Sequence, residues 1–180
     1  MSRIAHLSDE DATPDIAAIF RDARKAMGKV PNLFRVMAQA PAVLDLFWDG
    51  KAALADGILP PVMQEQIAIT IAAANGCDYC LAAHSGGARA NGATIEDVAA
   101  AQLGKASDPH VEAILTFARS VNATHGRPGG ALLEEARKAG LSDAEILETV
   151  AHVAVNILSN SINNLVETTL DFPRVDRVAA

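Results

Sequence analysis

Little in this 180-residue chain is aromatic, basic or sulfur-bearing. Phe, Trp and Tyr make up 4% of it, with a single Trp and a single Tyr, and there are two cysteines. Lys and Arg number 15 against 22 Asp and Glu, a formal charge of −7. That balance argues against a nucleic-acid surface or an anionic membrane as partner. The densest basic stretch, "RDARKAMGK" at 21–29, itself contains an acid and reads as a solvated helix face. Apolar runs are broken by Asn, Gln, Asp or Gly well short of the ~18 residues a membrane span requires. The start, "MSRIAHLSDEDATPDIAAIF", has no apolar segment of the signal-peptide kind, so a cytoplasmic protein is the expectation. Two cysteines in a reducing compartment make a poor structural staple, and a CxxC there points to catalysis or metal.

What is present is helical. Half the residues are apolar, enough for one domain with a proper core over residues 1–180. Thr13-Pro14 offers an N-cap followed by Pro at the first helical position, and Gly28 closes an N-terminal helix over 13–28. Residues 31–40 and 41–57 read as two more helices, each opened by Pro. Leu33, Phe34, Val36 and Met37, then Val43, Leu44, Leu46, Phe47 and Trp48, fall at core spacing. A helix over 60–76 ends at Asn75-Gly76, and "CDYCLAAHSGGARANG" follows at 77–92. Gly86-Gly87 there weakens the helix but permits close approach by another backbone. Thr94–Asp97 and Ser142–Glu145 carry capping-box signatures. Asp108-Pro109 opens a helix, "GGALLEEARKAG" follows the loop at Arg127-Pro128, and the last apolar segment runs from Ser142 to about Leu170. No stretch alternates at period two, so the fold class expected is all-α. "LPPVMQEQIAITIAAAN" and "LSDAEILETVAHVAVN" look like two versions of one helix, a hint of an internal pseudo-repeat.

The chemistry gathers at "NGCDYCLAAHS", 75–85. At ~100° per residue, Cys77, Cys80 and His84 share one helix face, with Cys80 and His84 at i and i+4. Asn75-Gly76 puts the cysteines in a first turn, where free N–H groups and the positive helix end favour a thiolate. A low-pKa thiol beside a second cysteine suits peroxide reduction. Glu65 lies on the preceding helix, where its carboxylate would orient His84 if the two helices pack together. Three other readings remain open on these residues alone. The cysteines and histidine are core residues; the four side chains bind zinc or another soft metal; or the pair is the disulfide of an oligomeric redox sensor or disulfide reductase. His6 falls in a terminus expected to be mobile, His110 near a helix start, His125 in a loop, and His152 on an apolar helix face as a core or interface residue.

Glu65, Cys77, Cys80 and His84 reproduce the spacing E-x11-C-x2-C-x3-H, and with it the chain resembles the AhpD-like alkylhydroperoxidases of the carboxymuconolactone decarboxylase superfamily. "PNLFRVMAQAPAVLDLFW" upstream and "GLSDAEILETVAHVAVNILSNSINN" through "LDFP" downstream are similar as well, so the resemblance spans about 30–173. It implies an AhpD-like helical domain assembled as a homo-oligomer, a trimer or hexamer, with no cofactor and no metal. It also implies a peroxide substrate, with Cys80 as peroxidatic thiolate, Cys77 as resolving thiol, and His84 and Glu65 as proton relay. An external dithiol, a lipoyl-bearing or thioredoxin-like protein, would restore the pair. Some peroxidase members place His before the second cysteine; Tyr79 stands there in this chain, as a possible accessory hydroxyl. The decarboxylases that name the superfamily lack the cysteine pair, so their chemistry is not the one expected.

Overall fold

The computed structural model describes residues 2–127 and 129–178; Met1, Pro128 of the expected loop, Ala179 and Ala180 lie outside the described residues. Among the described residues there is no strand, and nine helices follow in order. They are α1 (Pro14–Met27), α2 (Asn32–Met37), α3 (Pro41–Ala55), α4 (Pro61–Ala74) and α5 (Asp78–Ala90), then α6 (Ile95–Gln102), α7 (Pro109–Thr124), α8 (Gly129–Lys138) and α9 (Asp143–Val166). None is long and apolar enough to cross a membrane.

Local chemistry sets the boundaries. The Thr13 hydroxyl accepts from the Ile16 amide and Pro14 opens α1, while Gly28 ends it in the left-handed region at φ 73°. Both capping boxes form: Thr94 with Asp97 at α6, and Ser142 with Glu145 at α9. Asp108 caps α7 by accepting from the amides of His110 and Val111.

α4 is the central element and packs against α5, α6, α7 and α9. Its residues are apolar or small nearly all round, and Ile67, Ile69, Ile71 and Ala72 are wholly enclosed. Burying an isoleucine contributes roughly 1.5–3 kcal/mol, so α4 fixes how the other helices sit around it.

Three expectations are corrected. α9 stops at Val166, because Glu167 turns left-handed at φ 51° and the Thr168 amide bonds back to the Asn163 carbonyl. The chain then runs without regular structure back over the start of α5. Leu46 is 66% exposed rather than buried, since only the Leu44 and Phe47 side of α3 meets the core. The segment around His6 is held in place: the Leu7 amide bonds to the Arg35 carbonyl, the Arg3 amide to the Val166 carbonyl, and Ser2 Oγ to His6 Nε2. His152, expected as a core or interface residue, does lie in the core on α9, 1% exposed.

Candidate active site

The turn from α4 to α5 shapes the site. Asn75 closes α4, Gly76 takes a left-handed conformation at φ 69°, and the Cys77 amide bonds back to the Ala72 carbonyl at 2.9 Å. Cys77 thereby becomes the N-cap of α5. Its sulfur accepts the Cys80 amide at 3.3 Å, the task usually performed by Ser or Asp. Cys80 stands in the first turn with its sulfur at the positive end of the helix. Both thiols are free and buried, at 1% and 2% exposure.

Three elements surround the Cys80 sulfur. Cys77 is one turn below. From α9, Asn163 Nδ2 donates to the sulfur at 3.2 Å, and the thiol lies 3.9 Å from Ser159 Oγ as donor. The Cys80 pKa falls to about 6, foremost because the Cys77 thiol hydrogen-bonds the sulfur. Burial opposes this shift, while the His84 charge and the amides of Asn163 and Asn160 reinforce it. Cys77 moves the other way, pushed up by its hydrogen bond to Cys80 and by burial. The two shifts are opposed, so Cys80 is the thiol of the pair that ionises more readily.

Glu65 and His84 are brought together: Oε2 of the carboxylate meets Nδ1 of the imidazole at 2.7 Å. Gly87, one turn beyond His84 on α5, makes the room. A Cβ there would lie 2.7 Å from the Glu65 carboxyl carbon. Burial would raise the Glu65 pKa, but the charge and hydrogen bond of His84, with help from Lys51 and His152, hold it below the ordinary carboxylate value. The His84 imidazole acts on Cys80 through its charge, one helical turn away, and makes no direct hydrogen bond to the sulfur.

Tyr79 is not part of this set. Its hydroxyl accepts from the Leu33 amide at 3.1 Å and donates to Asp171 Oδ1 at 2.7 Å, and its ring meets Phe172 edge-on at 5.6 Å. The expected accessory hydroxyl is thus a latch between α5, α2 and the C-terminal segment. Its pKa is pushed up, chiefly by burial.

Beside the Glu65–His84 pair opens a cavity of about 480 Å³. Leu33, Phe34, Phe47 and Trp48 wall it, with Lys51, Glu65, Tyr79 and His84 as its charged or titratable lining. These bulky residues, expected as core, have one face in the core and another on the cavity. The thiols do not line it; they lie behind the α5 residues Tyr79, Ala83 and His84 that do. Among the described residues no group of three or more His, Cys, Asp or Glu converges to hold a metal ion.

Sequence reasoning missed the α9 contribution. Asn156, Asn160 and Asn163 recur at i, i+4 and i+7, each no more than 3% exposed. A polar stripe at core spacing is the available signal, masked in the sequence by the apolar residues interleaved with it. The remaining histidines hold local structure: His110 Nε2 pairs with Glu145 Oε1 at 2.7 Å, and His125 caps α7 at φ 54°.

Residues 41–123, which include all four motif residues, match the carboxymuconolactone decarboxylase family. An uncharacterized protein of Cupriavidus necator is 35% identical over 80 residues, 43% of this chain and 71% of that one. A solved peroxidase-related protein with an alkylhydroperoxidase AhpD core, from Ralstonia eutropha JMP134, superposes with a TM-score of 0.85 at 27% identity. The alignment covers 94% of this chain and 92% of that one. The chain belongs to the carboxymuconolactone decarboxylase family. Within it the fold is AhpD-like, all-helical and without strands among the described residues. Two more distant solved proteins share that fold. One is a peroxidase-related protein of Silicibacter sp. TM1040, with a TM-score of 0.77 at 20% identity over 88% of this chain and 85% of that one. The other is a cysteine-to-alanine variant of the debrominase Bmp8 with 2,3,4-tribromopyrrole, with a TM-score of 0.78 at 21% identity over 93% and 91%.

Proposed function

We propose that this family member is a thiol peroxidase that reduces organic hydroperoxides through Cys80 and Cys77. The observation that carries the reading is the Cys80 sulfur in the first turn of α5, 3.2 Å from Asn163 Nδ2 and one turn from Cys77, beside a hydrogen-bonded Glu65–His84 pair; the lowered Cys80 pKa and raised Cys77 pKa support it. In the first step the Cys80 thiolate attacks the distal peroxide oxygen and the O–O bond breaks. The sulfur is oxidised to a sulfenic acid, the hydroperoxide's own hydrogen staying on the transferred oxygen, and the alkoxide takes a proton from His84. Glu65 orients the imidazole and offsets its charge. Cys77 then gives up its proton and attacks the sulfenic sulfur, forming the disulfide and releasing water. An external dithiol, lipoyl-bearing or thioredoxin-like, returns both thiols by exchange.

The apolar cavity favours an organic hydroperoxide over hydrogen peroxide. Because the thiols lie behind its wall, attack requires side chains of α5 to move aside. The protein acts in the cytoplasm as a homo-oligomer in this reading, and Leu147 and Leu165, 70% and 71% exposed on α9, support the assembly. Light scattering that gave one chain's mass at working concentration would remove the oligomer from the account.

A redox-sensor reading draws on the burial of both thiols, and one assay separates the two. Peroxide consumption is followed with cumene hydroperoxide and hydrogen peroxide and with a lipoyl domain, thioredoxin or dithiothreitol as donor. Turnover that persists over many equivalents identifies the enzyme; a single stoichiometric oxidation identifies the sensor. A bromopyrrole in the same panel tests the chemistry of the debrominase neighbour, and bromide release without peroxide turnover would replace the proposal. For Glu65→Gln we expect slower turnover with little change in the KM for reductant; unaltered kinetics would take Glu65 out of the relay.

A further inference from the structure

His84 does not touch the Cys80 sulfur, yet α9 does. Asn163 Nδ2 lies 3.2 Å from the sulfur, on a side chain 3% exposed, and Asn160 lies one turn earlier at 1%. The orientation of Asn160 is fixed from behind. Its Oδ1 accepts from Asn75 Nδ2 at 3.1 Å, while Asn75 and Asn122 exchange amide hydrogen bonds at 3.2 and 2.8 Å. The Asn160 Nδ2 donor is thereby turned away from that chain, and it has no partner among the described residues. Asn163 Oδ1 has none either. A buried amide donor and a buried carbonyl acceptor are costly to leave unpaired, so two of them together beside a reactive sulfur call for a function.

We propose that Asn163 is a catalytic residue of the Cys80 chemistry and Asn160 its positioning partner. The two side-chain amides form a cradle that holds the sulfur as an anion and then receives the hydroxyl of its sulfenic acid. The inference rests on the peroxidase reading for its second half, and on geometry alone for its first. An amide N–H aimed at sulfur favours the thiolate over the thiol, because only the anion is a full acceptor. Oxidation adds one O–H donor and one oxygen acceptor to the sulfur, the complement of the Asn163 carbonyl and the Asn160 amide. Both amides are among the groups that lower the Cys80 pKa. The other titratable groups about the sulfur are Cys77, Tyr79 and His84 on α5, with Glu65 on α4 and His152 on α9 reached through His84.

The test measures thiolate formation without any peroxide. The rate of Cys80 alkylation by iodoacetamide is followed from pH 5 to 10 in wild type, Asn163→Leu and Asn163→Asp, with thermal melts as control. Losing one charge-directed hydrogen bond lowers the thiolate fraction below the pKa by about ten- to a hundredfold. Asn163→Leu should therefore show that fall at pH 6, with its profile moved to higher pH and its melt retained. The near-isosteric Asn163→Asp keeps the shape, removes the donor and adds a like charge, so its profile should move further. Asn160→Leu should show a smaller shift of the same sign. In addition, dimedone labelling of the sulfenic acid after one equivalent of cumene hydroperoxide should decay faster in Asn163→Leu than in wild type. Unmoved alkylation profiles in folded Leu and Asp variants would overturn the cradle, whatever the peroxidase activity. Moved profiles in a protein that consumes no peroxide would uphold the thiolate half and reject the peroxidase reading.

Discussion

Substituting Gly87 with alanine is a one-carbon test of the Glu65–His84 pair. The new Cβ would stand 2.7 Å from the Glu65 carboxyl carbon and 2.8 and 2.9 Å from its oxygens. Carbon atoms in ordinary contact sit at about 3.5 Å, so the carboxylate must withdraw by about 0.8 Å. Gly87 and His84 both belong to α5, and withdrawal from one is withdrawal from the other. The present 2.7 Å hydrogen bond would open toward about 3.5 Å, outside the useful range. In stability the change is close to neutral. Alanine gains about 1 kcal/mol of helix propensity over glycine, while a partly exposed ion pair loses about the same. In turnover it is not neutral, because a hydrogen bond to a charged relay group contributes about 1.5–3 kcal/mol, or ten- to a hundredfold in rate. Gly87→Ala should therefore melt within a few degrees of wild type and reduce cumene hydroperoxide at a rate one to two orders lower. Full turnover in the folded variant would refute the relay. A collapse of stability would show that the helix backbone, rather than the Glu65 side chain, yields to the methyl group.

Other consequences follow from the same packing. Alkylation of wild-type Cys80 should be half-maximal near pH 6 and leave Cys77 unmodified; mass spectrometry showing label on Cys77 first would reverse their roles. Tyr79→Phe should cost about 1–3 kcal/mol in chemical denaturation, since the Leu33 amide and Asp171 lose their partner, while Cys80 reactivity stays unchanged; a shifted alkylation profile would return Tyr79 to the site. Burial lowers the His152 pKa to about 4, from the ordinary imidazole value of 6.5. Between those pH values the unfolded chain binds more protons, so stability is fully present above pH 6.5 and falls as pH drops toward 4, by up to about 3 kcal/mol. His152→Leu should flatten that slope, and an equally steep slope in the variant would assign it to other groups.

Much of this was legible in the residues. Thr13-Pro14, Asp108-Pro109 and the two capping boxes announce helix starts by local hydrogen bonding, which needs no tertiary context. The four motif residues were legible through spacing; at Gly87 the expected neighbour was another backbone, whereas the Glu65 carboxylate fills the space. Tertiary facts were not. That Leu46 faces outward and Phe47 inward depends on which elements α3 meets. That Tyr79 turns to Asp171 depends on a segment 92 residues away folding back across α5. The asparagines of α9 were hidden for the same reason: a polar residue declares its role only when the sulfur it serves is in place. Glu167 ended α9 early through a left-handed turn that no glycine advertised.

The central claim is that Cys80 is the nucleophile of a peroxide-reducing pair. It is tested most directly by hydroperoxide consumption with a recycling dithiol, comparing wild type with Cys80→Ser and Cys77→Ser. The account predicts sustained turnover in wild type and none in Cys80→Ser. For Cys77→Ser it predicts one equivalent of peroxide consumed and a dimedone-reactive sulfenic acid on Cys80. Peroxide turnover undiminished in Cys80→Ser would contradict it.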